Sequence, residues 1–125
     1  MVMSTDSLTA RRLHNLCTDM LETGFIAGST KLYEIERAAW DCFRSSTGTE
    51  QTICYVLATL FDRLAAAQDG EAVSPSDGAR LLNILGQPIR QCIDHLVGRK
   101  VGLDSLQLVI SITEAYHKAD LFRSN

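Results

Sequence analysis

Proline and glycine are scarce, two and eight residues of 125, and no tract of the chain has the composition of a low-complexity, disordered polymer. A basic surplus is lacking as well. Twelve Lys and Arg against fifteen Asp and Glu leave a formal charge of -3, so the attraction that drives non-specific binding to nucleic acids or acidic membranes is missing. Direct nucleic-acid contact is therefore not expected. No stretch approaches the roughly 18 uninterrupted apolar residues of a membrane span, and Met1 to Ala10 carries no apolar signal core. These absences predict a cytoplasmic protein with no membrane partner. In that compartment the four cysteines, Cys17, Cys42, Cys54 and Cys92, are expected as buried, reduced thiols. Sequence signatures of common catalysis are absent too: there is no Gly-x-Ser-x-Gly, Walker loop, Gly-x-Gly-x-x-Gly, His-Glu-x-x-His or Cys-x-x-Cys. Glu34 and Glu36 stand two apart and so face different sides of a helix. The chain is expected not to be an enzyme and to need no cofactor.

What is present is apolar surface in helical register. Hydrophobic residues make up 46% and charged residues 22%, enough for a single domain over residues 1–125. Leu13, Leu16, Cys17, Met20 and Leu21 follow the spacing of one helix face and predict a first helix over Asp6 to Thr23, closed by Gly24. A second, capped by Thr30 or starting as early as Phe25, runs to about Arg44 with Leu32, Ile35, Ala39, Cys42 and Phe43 inward. Thr47 and Glu50 have capping-box spacing and open a third helix to about Gln68, striped by Ile53, Leu57, Leu60, Phe61 and Leu64. Ser74, Pro75 and Asp77 open the fourth, a side-chain cap, a proline where no N–H is needed and an acid at the positive end of the dipole.

Pro88, with Gly86 just before it, removes a helical hydrogen bond and predicts a kink or short break near 86–88. Asp104 or Ser105 opens a last helix to about Phe122. Residues 106–113 also alternate like a strand, but a lone strand would have nothing to pair with. The expected fold is an all-α bundle of five helices, acting as a homodimer, whose short amphipathic segments are stable only by burying their faces against one another.

Three constellations have chemical readings. His14 with Cys17, and Cys92 with His95, are i, i+3 pairs that together match the Cys₂His₂ set of a zinc site; the alternative is core thiols beside Leu16, Met20, Ile89 and Ile93. Arg90 to His95, reading Arg-Gln-Cys-Ile-Asp-His, resembles the Arg-x4-6-His motif of HEPN-type ribonucleases, which are small helical bundles. The resemblance implies that Arg90 holds phosphate and His95 serves acid–base cleavage; the alternative is a His near a helix C-terminus where the dipole favours a cation. The third is an apolar surplus: Tyr33 and Trp40 on the second helix, Tyr116, Leu121 and Phe122 at the end of the last, and the Phe25-Ile26-Ala27 stretch. These are core or rim residues, or else a partner-binding patch, for which Trp and Tyr are the usual anchors.

In length, acidity and helical layout, from Leu13-His14-Asn15-Leu16-Cys17 to Ala115-Tyr116-His117-Lys118, the chain resembles small proteobacterial anti-activators of LuxR-type quorum-sensing receptors. That resemblance implies a transcription factor as partner, bound through apolar residues of the first two helices. The residues expected at such an interface are Leu13, Leu16, Phe25, Ile26, Tyr33 and Trp40. A third function, sensing a small ligand, would need an apolar cavity between helices, which Gly86 and Pro88 would open.

Overall fold

A computed structural model describes residues 7–70 and 73–119. They form five helices and, among the described residues, no strand: α1 (Ser7–Thr23), α2 (Ser29–Arg44), α3 (Gly48–Gly70), α4 (Pro75–Leu96) and α5 (Ser105–Ala119). The expected start at Asp6 and end at Phe122 lie outside the described residues, as does Leu121.

The helices pack in a closed ring, with a slighter contact between α3 and α4 across it. α1 lies against α2, α2 against α3 in the most extensive interface, α3 against α5, α5 against α4, and α4 returns to α1. The stripes supply the centre: Leu13 and Met20, Leu32 and Ile35, Leu57 and Phe61, Leu85 and Ile89, Leu108 and Ile112 are all buried. Phe61 of α3 is the largest fully buried side chain. Burying a Leu or Phe is worth roughly 1.5–3 kcal/mol each, which is what holds helices of this length in place.

The ends show local chemistry overriding several expectations. Ser74 caps α4 as its sequence predicts, accepting from the Asp77 N–H at 3.2 Å. α2 begins at Ser29 with Gly28 as its cap, so Thr30 lies inside the helix and caps nothing. Glu50 does not serve a capping box with Thr47, because its carboxylate turns to His95 of α4, 3.0 Å away. α4 is one helix from Pro75 to Leu96 with Pro88 inside it, so it has no break at 86–88, and Leu81, Leu85, Ile89 and Cys92 are buried along one face.

α5 is a helix over the ambiguous stretch, and its start explains why. Asp104 accepts from the Gln107 N–H at 2.8 Å while Gln107 accepts from the Asp104 N–H at 2.9 Å, a reciprocal box that fixes the first turn as helical. Gln68 stitches two loops to the body: it donates to the Ala27 carbonyl at 2.8 Å and accepts from the Val73 N–H at 2.9 Å. Gly24 and Gly98 follow α1 and α4 at φ +74° and +87°, a left-handed conformation that a side chain would resist.

Candidate functional site

The outer side of the α2–α3 pair carries a connected set of rings. Trp40 meets Phe43 edge-on at 5.5 Å between centroids and meets Tyr55 of α3 at 5.8 Å, and Phe43 lies 6.2 Å from Tyr55. Such edge-to-face contacts contribute beyond the area they bury, roughly 0.5–1.5 kcal/mol a pair. Trp40 and Phe43 are half-buried, and Tyr55 is 50% exposed. Two turns further toward the start of α2, Tyr33 sits beside Glu36, Arg37 and Trp40, and the four line a shallow depression of about 180 Å³.

The polar atoms of this face are held in place. Trp40 Nε1–H donates to Glu36 at 3.0 Å, along the helix, and the Tyr33 hydroxyl donates to Asp69 at 2.9 Å, across to the end of α3. Hydrogen bonds from Ser29 and then Tyr33 hold the Asp69 carboxyl below its ordinary value, while the same Asp69 contact raises the Tyr33 phenol. Rings fixed in this way lose little rotamer freedom when a second surface covers them.

Of the six residues expected to meet a partner, Tyr33 and Trp40 are on this face, half-exposed. Phe25 is 69% exposed in the α1–α2 loop. Its neighbour Ile26 folds inward, over Gly78 at the start of α4. Leu16 is half-buried against the core, and Leu13 is fully buried, so Leu13 cannot line an external surface: its place on the α1 stripe puts it at the centre of the ring. Phe43, read from periodicity as inward, is on the rim of the aromatic face. Tyr55 was not singled out, because a single tyrosine between Cys54 and Val56 gives no periodic signal of its own.

The two histidines of the zinc reading are drawn to other partners. His14 Nε2 lies 2.8 Å from Asp94 and its Nδ1 lies 3.5 Å from the Thr18 hydroxyl, while His95 faces Glu50. Among the described residues no group of three or more His, Cys, Asp and Glu side chains is placed to hold a metal. All four cysteines are buried and none is in a disulfide. Burial pushes the Cys92 thiol up to about 12 and raises Cys17 still further, and Cys54 is raised first by its hydrogen bond with Cys42 and then by burial. Thiols of this kind act as small hydrophobes.

Arg90 and His95 do not form one site within the chain. Five residues apart on α4, they are turned about 140° from one another. Arg90 lines a surface groove of about 370 Å³ with Leu21 and Gly24 near α1, whereas His95 faces α3. The grooves found lie at the surface, one between α1 and α4 and one of about 570 Å³ between α4 and α5, lined by Ile84, Pro88, Leu103 and Ile110 among others. None of the helices described is long and apolar enough to cross a membrane. In comparisons with known proteins, no family model, no curated protein and no solved structure matches the chain.

Proposed function

We propose that this chain is a small cytoplasmic regulatory protein that binds another protein through the aromatic face of α2 and α3 and blocks it sterically. The observation that carries this reading is the pre-ordered ring cluster: Trp40 at the junction of Phe43 and Tyr55, with its N–H already bonded to Glu36. Trp and Tyr are the side chains that most often dominate binding energy, and anchoring them beforehand lowers the entropic cost of docking. Covering roughly 800 Å² per partner suffices to obstruct a dimerisation or ligand surface, so no bond need be made or broken. The resemblance to quorum-sensing anti-activators makes a transcription factor the partner, and the reading has the regulator itself acting as a homodimer. Phe25, projecting from the α1–α2 loop, is the second contact.

The test is affinity capture from the native host with the wild type and with the Trp40→Ala and Tyr33→Ala variants, alongside circular dichroism. A protein retained by the wild type and lost by both variants at unchanged helicity supports the reading. Unchanged capture by both variants overturns the assignment of this face.

A further inference from the structure

The groove of about 570 Å³ between α4 and α5 is charged at one end and uncharged, mostly apolar, at the other. Arg80, near the start of α4, donates to the Ala119 carbonyl at the end of α5 at 3.4 Å, so the two helices run antiparallel. Counted along both helices from that contact, Glu114 comes about level with Ile84, and Ser111 with Pro88. Lys118 and Glu114 therefore stand at the end of the groove nearer the start of α4, and Pro88, Ile110 and Leu103 follow toward the other end. Glu114 and Lys118 are four apart on one side of α5, a spacing at which opposite charges commonly pair. Among the described residues, neither makes an ion pair with the other or with a third group. A further acceptor lies beside them. Pro88 has no N–H, so the Ile84 carbonyl, directed along α4 toward the proline, is without the donor that a helix supplies four residues on.

We infer that this groove binds a free α-amino acid with an apolar side chain. The Glu114 carboxylate and the Ile84 carbonyl receive its ammonium group, the Lys118 ammonium receives its carboxylate, and its side chain lies along Pro88 and Ile110 toward Leu103. Charge complementarity selects this class of ligand. A simple acid or a simple amine of the same shape meets only one of the two opposite charges, and a small amino acid such as glycine leaves the apolar end uncovered. The volume falls within the roughly 300–1,000 Å³ usual for small-molecule sites.

The site is on α4 and α5, apart from the aromatic face of α2 and α3, and does not depend on the function proposed above. The experiment is an amide NMR titration of the isotope-labelled full chain with leucine and with phenylalanine, each up to about 10 mM, a concentration that fills even a millimolar site. At least one of the two is expected to saturate while moving the amides of Ile84, Ile110, Ser111 and Glu114. For the probe that binds, its carboxamide and its deaminated acid, each lacking one charge, bind about tenfold more weakly or not at all, as does glycine. Glu114→Gln and Lys118→Met, at exposed positions, weaken binding by about tenfold at unchanged melting temperature, whereas Trp40→Ala leaves it as it is. No saturable shift with either probe overturns the inference. So do shifts confined to other parts of the chain, affinity indifferent to the loss of either charge from the probe, or Glu114 and Lys118 variants that bind like the wild type.

Discussion

His14 of α1 places its Nε2 2.8 Å from Oδ1 of Asp94 on α4, eighty residues along the chain, and so closes the ring of helices at the joint between its first and fourth members. His14 is only 9% exposed, so its imidazole has little water to bond instead. Arg99 stands 3.6 Å from the same carboxylate oxygen, and the next residue of α4, His95, makes the matching contact to Glu50 of α3. Two adjacent positions on α4 therefore fasten it to two different helices.

Removing Asp94 strands the His14 imidazole in a poorly hydrated place, whereas without His14 the Asp94 carboxylate keeps Arg99 beside it. Asp94→Ala is expected to lower unfolding free energy by about 1–3 kcal/mol, the cost of leaving a buried polar group unpaired, and His14→Ala by less. A double-mutant cycle with Asp94→Ala, followed by urea unfolding, should show a favourable coupling between the two residues. Additive losses would mean that the contact contributes nothing.

Thiol chemistry should be silent in the folded protein. With Cys92 raised to about 12 and Cys17 and Cys54 raised as well, a thiol reagent at neutral pH should label the cysteines only after denaturant is added. The pH dependence follows from the same shifts. A thiol whose folded-state value is raised favours the folded state fully below its unfolded value, near 9.0, and that contribution is lost as pH climbs from there toward about 12. The urea midpoint should fall across this alkaline window, and Cys92→Ala should make the fall shallower. Rapid labelling of the native protein would contradict this.

Glycine positions offer opposite outcomes in one comparison. Gly78 lies inside α4 with ordinary helical geometry, and an added methyl would rest 3.7 Å from Ile26 Cγ1 and 3.8 Å from Val73 Cγ1, a normal contact. Gly78→Ala should stabilise the protein by about 0.5–1 kcal/mol. Gly98, at φ +87°, should lose about 1–2 kcal/mol as Ala, because a side chain is disfavoured in that conformation. Thermal melts of the two variants should move in opposite directions.

The five helices were legible because the stripes through Leu57 and Phe61, or Leu85 and Ile89, report burial directly, and burial is what forms them. The Ser74-Pro75-Asp77 start was legible because a cap is a local event. Contacts between distant residues were not: nothing in the spacing of Glu50 or Asp94 says that each will meet a histidine on another helix. The same holds for Thr30, displaced as a cap by the entry of the chain through Gly28. At the surface, periodicity placed Tyr33 and Trp40 near the edge of the α2 stripe, but which helix would cover that edge was decided by the ring. Leu13 and Phe43 moved, one to the centre and the other to the rim, for that reason. Asp104 and Gln107 did carry a readable signal, an acid and an amide three apart ahead of an apolar run, that would have decided α5 against a strand.

The chain has one tryptophan, and it stands at the centre of the surface on which the functional reading depends. Fluorine NMR of protein labelled with 5-fluorotryptophan therefore reports on that surface through a single resonance. Titration with the protein captured from the native host should shift or broaden the Trp40 signal in step with complex formation. A resonance that stays unmoved while the complex forms would show that binding takes place elsewhere and contradict the account.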